Sequence, residues 1–68
     1  MEDVDQFLIG TVGRVTVPID SDAPGEVILP VRGGSEAFAA WSDEPIAKHQ
    51  KVVVVECLSN RSVTVTPY

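Results

Sequence analysis

The chain carries few side chains of the kinds that catalyse reactions. It has a single histidine, His49, and a single cysteine, Cys57. A hydrolytic site needs a nucleophile, a base and an orienting group held close together. His49 stands in a polar stretch between Lys48 and Lys51, so we expect a solvated loop side chain. Cys57 follows a valine run, so we expect a small apolar core residue and not an activated thiolate.

Asp20, Asp22 and Glu26 are acidic residues whose spacing loosely resembles that of oxygen ligands for a cation. A calcium loop of the EF-hand type needs a central glycine and a fixed ligand spacing, neither of which is present here. A zinc site needs about four nitrogen or sulfur ligands, which His49 and Cys57 cannot supply. We therefore predict a non-enzymatic chain that holds no metal and no cofactor.

The residues best suited to binding are Trp41 and the acidic pair that follows it, Asp43 and Glu44. Tryptophan is enriched at the anchor points of protein interfaces. It also serves to cover the end of a core, with its indole N–H hydrogen-bonded; both roles remain open for Trp41. Asp43 and Glu44 are typical of a charged turn. We predict a partner-binding site at Trp41, Asp43 and Glu44, with the acids setting specificity and association rate.

The charge of the chain restricts its partners. The formal net charge is −5 and the isoelectric point is about 4.5. Nucleic-acid binding needs a basic surface that displaces counterions from phosphate, and docking on anionic lipid head groups needs the same. We therefore expect no nucleic acid and no direct lipid contact. An OB-type module for single-stranded nucleic acid remains the alternative, because barrels of this size often serve that purpose.

The pattern of the chain predicts an all-β fold. Five short apolar stretches are separated by turn residues, and no helical stripe is long enough to build a core. Residues 1–7 are expected to be a flexible lead-in, and residues 8–68 a single five-stranded OB-type small β-barrel. The interior of such a barrel is filled by its own side chains, so function is expected on the outer surface. The predicted strands are residues 8–17, 26–32, 36–42, 51–57 and 62–67.

Alternation within each stretch predicts which side chains point inward. Gly10 and Gly13 are expected to mark a bend, a bulge or a close backbone approach in the first strand, and Gly33-Gly34 to form a tight hairpin. Glu56 indicates that its face of the fourth strand is the wet one. The predicted inward residues are Val15, Val17, Val27, Leu29, Val31, Phe38, Ala40, Val53, Val55, Cys57, Val63 and Val65.

The order of these motifs resembles the C-terminal soluble domain of the NfeD family. LIGTVGRV at residues 8–15 is similar to the family's glycine–x–x–glycine–x–valine start. GEVIL at 25–29 and EAFAAWSDEPI at 36–46 are similar to its second strand, its aromatic–x–alanine step and its polar turn with isoleucine. KVVVVE at 51–56 and SVTVTP at 62–67 resemble its closing hairpin. This chain has Phe38 where the family usually has tryptophan, and His49-Gln50 where it usually has glycine.

The resemblance implies an OB-type barrel without catalytic residues that works beside a membrane. Domains of this family follow membrane-spanning helices, and their companions are stomatin- and flotillin-like proteins or a membrane-bound serine protease. We accordingly expect a soluble interaction domain, tethered through a transmembrane region of a parent protein that is absent from this chain, on the cytoplasmic side. One cysteine permits no internal disulfide, which is typical of a reducing compartment.

Overall fold

The computed structural model describes residues 8–68, which form five β-strands. Four of the five strands are rich in valine, isoleucine or threonine, and the third combines alanine with Phe38 and Trp41. Branched and aromatic side chains suit a pleated, half-buried surface. The number and order of the predicted strands are confirmed, while the expected lead-in at residues 1–7 lies outside the described residues. The strands are β1 (Val12–Val17), β2 (Gly25–Val31), β3 (Gly34–Trp41), β4 (Lys51–Ser59) and β5 (Ser62–Pro67).

The strands close into a barrel in the order β1-β2-β3-β5-β4, with β4 returning to β1. All pairings are antiparallel except the one between β3 and β5, which is parallel. Closure leaves fewer open strand edges than a flat sheet of the same length. The all-β, five-stranded OB-type barrel predicted from the sequence is confirmed.

The core of the barrel receives side chains from every strand. Phe38 and Ala40 of β3 point inward as predicted, as do Val27 and Leu29 of β2, and Val31 packs against the same cluster. Residues outside the strands close the ends of this core. Its buried members are Leu8, Val15, Ile19, Val27, Leu29, Phe38, Ala40, Ile46, Val52, Val54, Val63 and Val65.

The first strand begins later than predicted. Residues 8–10 form a helical turn instead of extended chain, and the amide of Thr11 donates to the carbonyl of Leu8 at 2.9 Å. Gly10 makes the turn possible, because its φ of 90° is costly for other residues. Gly13 is a close-approach position, as predicted: a Cβ there would lie 2.5 Å from the carbonyl oxygen of Ile28.

Two register shifts overturn the predicted faces of β1 and β4. The β1–β2 register shifts between Val15 and Val17, so Val15 is buried and Val17, predicted inward, is exposed. An extra residue on one strand reverses the alternation beyond it.

A register shift also explains why the predicted faces of the valine run in β4 were wrong. Val52 and Val54 are buried, whereas Val53 is half-buried and Val55 exposed, the reverse of the prediction. The register shifts between Val54 and Glu56, so these two residues do not share a face. Glu56 is exposed, but its exposure does not indicate that Val52 and Val54 face solvent. Cys57 is half-buried and packs against the core, in line with its predicted inward face.

The hairpin between β2 and β3 turns one residue earlier than predicted. Val31 pairs with Gly34, leaving Arg32 and Gly33 as the two-residue loop. Their φ values are 47° and 81°, which is the pair of positive angles that a type I′ turn requires. The glycine pair is therefore divided between the turn and the first position of β3.

Candidate functional site

Trp41 is the last residue of β3 and lies on the outer wall of the barrel. Its neighbours along the strand, Phe38 and Ala40, alternate inward, so the indole points out and is 39% exposed. On one side Trp41 pairs in register with Thr64 of β5. On the other side the pairing with β2 ends at Ala40 and Gly25. The sequence left the exposure of Trp41 open, and the structure places this residue at the surface.

The turn after Trp41 is organised by Ser42. This side chain is 9% exposed, and its hydroxyl oxygen accepts a hydrogen bond from the amide of Glu44 at 3.2 Å. Serine is favoured in such turns because its hydroxyl can replace a backbone acceptor. Asp43 and Glu44 are both exposed. The three predicted partner-binding residues, Trp41, Asp43 and Glu44, are thus all exposed, at the end of β3 and in the turn that follows it.

Two loops meet beside this surface. Ile19, in the β1–β2 loop, and Ile46, in the β3–β4 loop, exchange both backbone hydrogen bonds at 2.9 Å. Both side chains are buried in the core, which fixes the loops to the barrel. The bridge therefore holds the acidic turn of the second loop against the first.

The β1–β2 loop adds two further acids, Asp20 and Asp22, both exposed. The backbones of Asp20 and Ala23 exchange hydrogen bonds at 3.1 and 3.3 Å, which narrows the loop into a small turn. The chain then re-enters the sheet at Gly25, where a Cβ would collide with the carbonyl oxygens of Val17 and Pro18. Glycine at this position lets the loop return tightly next to the end of β3.

Across β5, Trp41 shares a row with another acid. Thr64 is the register partner of both Trp41 on β3 and Glu56 on β4. Adjacent strands are about 4.8 Å apart, so the Cα atoms of Trp41 and Glu56 are roughly 10 Å apart. We call Trp41 and the acids around it the Trp41 surface; its acids are Asp20, Asp22, Asp43, Glu44 and Glu56.

The proximity of these acids was not predicted from the sequence. Asp20 and Asp22 were considered only as loose oxygen ligands together with Glu26. Glu26 instead lies on β2, where its carboxylate accepts a hydrogen bond from the hydroxyl of Thr16 at 2.7 Å. A signal was available in Ile19 and Ile46, since an isolated isoleucine in a polar loop indicates an anchor to the core.

The remaining chemistry-bearing residues are not brought together with one another. His49 is exposed, and its amide donates to the carbonyl of Val15 at 2.7 Å with a φ of 77°. Cys57 lies against the core on β4. Within residues 8–68, no group of three His, Cys, Asp or Glu side chains is placed to hold a metal ion.

The positive charges lie mainly away from the Trp41 surface. Arg14 of β1 and Lys51 of β4 stand opposite each other in the register, two strands from β3 in either direction around the barrel. Arg61 approaches Glu36 at 3.9 Å, near the start of β3. The acids around the exposed tryptophan therefore outnumber the cations near it, which are Lys48 and Arg61, whereas Arg14 and Lys51 form a positive pair on another wall.

Comparison with known proteins places the chain among one group of domains. The family described as the NfeD C-terminal domain matches residues 12–66. The solution structure of the soluble domain of the NfeD protein YuaF from Bacillus subtilis is 31% identical, with a TM-score of 0.78, over 91% of this chain and 75% of that one. No protein of curated function matches the sequence.

Two further structures share the fold. The C-terminal domain of stomatin operon partner protein 1510-C from Pyrococcus horikoshii is 26% identical, with a TM-score of 0.72, covering 94% of this chain and 92% of that one. The soluble domain of a Corynebacterium glutamicum membrane protein implicated in regulation of membrane protease activity is 21% identical, with a TM-score of 0.71, covering 91% and 94%. Over residues 8–68, no helix is long and apolar enough to cross a bilayer.

Proposed function

The chain belongs to the NfeD C-terminal domain family, and from that membership we propose that it is a non-enzymatic protein-interaction domain. Its docking site is the outer wall at the end of β3, with Trp41 as anchor and Asp43 and Glu44 beside it. The observation that carries this proposal is a tryptophan 39% exposed on the wall of a barrel whose interior is filled. Large rings at the centre of a patch provide much of the binding energy in protein interfaces.

The proposed partner is a membrane scaffold protein of the stomatin or flotillin type. One solved relative is named a stomatin operon partner protein, which supports this class of partner. Another is described as a membrane protein implicated in regulation of membrane protease activity, so a membrane-bound serine protease is the second candidate. A barrel held beside a membrane by its parent protein, on the cytoplasmic side, would meet either of them.

The test is an amide-resolved NMR titration of the labelled chain with a stomatin-type domain from the same cell. We expect shifts at Trp41 and at residues 42–45. Trp41→Ala should weaken binding by a factor of about 30, as is common for a central tryptophan. Tyr68→Ala is the matched control, because Tyr68 is the more exposed aromatic and lies at the end of the chain.

The outcomes of this test separate the claims. Shifts elsewhere, or equal affinities for the wild type and Trp41→Ala, would remove Trp41 as the anchor. If no signal shifts when the stomatin-type domain is added to near-millimolar concentration, that domain is not the partner. The protease would then be titrated next.

The alternative of a single-stranded nucleic-acid binder finds little support on this surface. Such binding needs exposed rings within a positive groove. Here the exposed indole stands near Asp43, Glu44 and Glu56, while Arg14 and Lys51 lie on another wall. Oligonucleotide binding that weakens with salt would revive the alternative.

A further inference from the structure

Resting on the proposed docking role, we infer that the Trp41 surface takes a cationic segment of its partner, in which arginine or lysine stands next to an apolar side chain. The proposed function names a protein class, whereas this inference names the chemistry that is recognised. It follows from how two loops and two strands place their charges around one ring.

The first step is that the acids come from separate parts of the chain and are held in place together. Asp20 and Asp22 belong to the β1–β2 loop, and Asp43 and Glu44 to the β3–β4 loop. The two 2.9 Å hydrogen bonds between Ile19 and Ile46 tie these loops. Like charges held together on two fixed loops raise the local negative potential, so a cationic partner would relieve it.

The second step is that acids lie on both sides of the ring. Trp41 has the acidic turn after it in the chain, the β1–β2 loop on its β2 side, and Glu56 beyond Thr64 on its β5 side. Arginine and lysine are attracted to the face of an indole, and the surrounding carboxylates add charge-assisted hydrogen bonds. An apolar neighbour in the same segment would cover the rest of the half-exposed ring.

The third step is that the acids of the Trp41 surface outnumber the cations near it. Lys48 and His49 follow Ile46 in the same loop, but the amide of His49 donates to Val15, which places this turn against β1. The guanidinium of Arg61 is paired with Glu36 at 3.9 Å, while its carbonyl accepts a hydrogen bond from the amide of Ala39. Lys51 stands opposite Arg14 on the β1–β4 wall. Five carboxylates thus stand near two cations, Lys48 and Arg61, so the Trp41 surface keeps a net negative charge.

The experiment titrates the labelled chain with a synthetic peptide of alternating arginine and leucine, and with its glutamate–leucine counterpart. The arginine peptide should shift residues 20–23 and 41–45 and the indole N–H of Trp41. Its apparent affinity should fall about tenfold between about 50 mM and about 300 mM salt, because surface charges are screened over that range. The glutamate peptide should leave these signals in place.

Glu44→Gln and Glu36→Gln form a matched pair. Both remove one exposed carboxylate from β3 or the turn after it, but only Glu44 lies on the Trp41 surface. We expect Glu44→Gln to lower the affinity for the arginine peptide by a factor of about three to ten. Glu36→Gln should leave this affinity within a factor of about two of the wild-type value. No saturable shift at about millimolar peptide, equal response to both peptides, or equal losses in the two variants would overturn the inference.

The stomatin-type titration separates this inference from the proposed function. If the stomatin-type domain shifts Trp41 but its affinity is unchanged in Glu44→Gln, the docking role stands and the cationic recognition is wrong. If the arginine peptide binds at Trp41 while the stomatin-type domain does not, the named partner is wrong and the chemistry of the surface stands.

Discussion

His49 occupies a backbone conformation that favours glycine. Its φ is 77°, and its amide bonds to Val15, so the turn into β4 depends on that angle. A left-handed conformation costs an ordinary residue about 1–2 kcal/mol. The NfeD resemblance places a glycine in this turn, where this chain has His49-Gln50. In this chain the histidine keeps both the positive φ and the hydrogen bond to Val15.

Replacing this residue isolates the backbone cost. His49→Gly should stabilise the chain by about 0.5–1 kcal/mol, because relief of the left-handed strain exceeds the added entropy of the unfolded state. His49→Ala removes the same imidazole but keeps a Cβ, so it should not stabilise. The measurement is the midpoint of urea unfolding for both variants. A higher midpoint for alanine than for glycine would contradict the backbone explanation.

At the scale of the element, β4 contains two adjacent, identical side chains with opposite burial. Val54 is 1% exposed and Val55 is 49% exposed, although they are adjacent and have the same side chain. Val54 also holds the start of the barrel, since its amide and carbonyl bond to Thr11 and Gly10 at 2.9 and 2.8 Å. The shift between Val54 and Glu56 then changes the facing of the strand.

Threonine substitutions test this placement, because threonine matches valine in shape and strand propensity. Val54→Thr puts a hydroxyl into the apolar core and should destabilise by about 1–3 kcal/mol. Val55→Thr should remain within about 0.5 kcal/mol of the parent. Chemical unfolding measures both. Similar losses for the two variants would mean that the valine run is not divided as described.

These strands also show what the sequence could predict and why the rest required a structure. Periodicity found β2 and β5 with the correct faces, since no shift interrupts their inward residues. It was wrong for Val17, Val53 and Val55, because the residue pattern does not show where an extra residue shifts the register. Trp41, Asp43 and Glu44 were selected from residue type alone. The addition of Asp20, Asp22 and Glu56 depended on pairing between distant segments, which spacing does not encode.

At the scale of the whole molecule, one core joins all five strands. The buried cluster includes residues from β1 to β5 and from both longer loops, so no strand has a separate core that could persist alone. A chain of this length buries only about 60% of its unfolded surface. Loss of one strand should therefore open the entire barrel.

We accordingly expect unfolding to be two-state. Far-ultraviolet circular dichroism reports the sheet, and the fluorescence of Trp41, the only tryptophan, reports the end of β3. The two signals should give the same midpoint in urea, because small single domains unfold cooperatively. An earlier fluorescence transition would instead show that the Trp41 surface opens before the barrel.

The bridge between Ile19 and Ile46 has a consequence for protein engineering. Each backbone supplies the donor and acceptor that the other needs, and both side chains enter the core. Exchange of one loop alone would leave a buried amide and carbonyl without partners, at a cost of about 1–3 kcal/mol each. The two loops therefore act as one structural unit. A binding specificity could be transferred between barrels of this family only by moving both loops together.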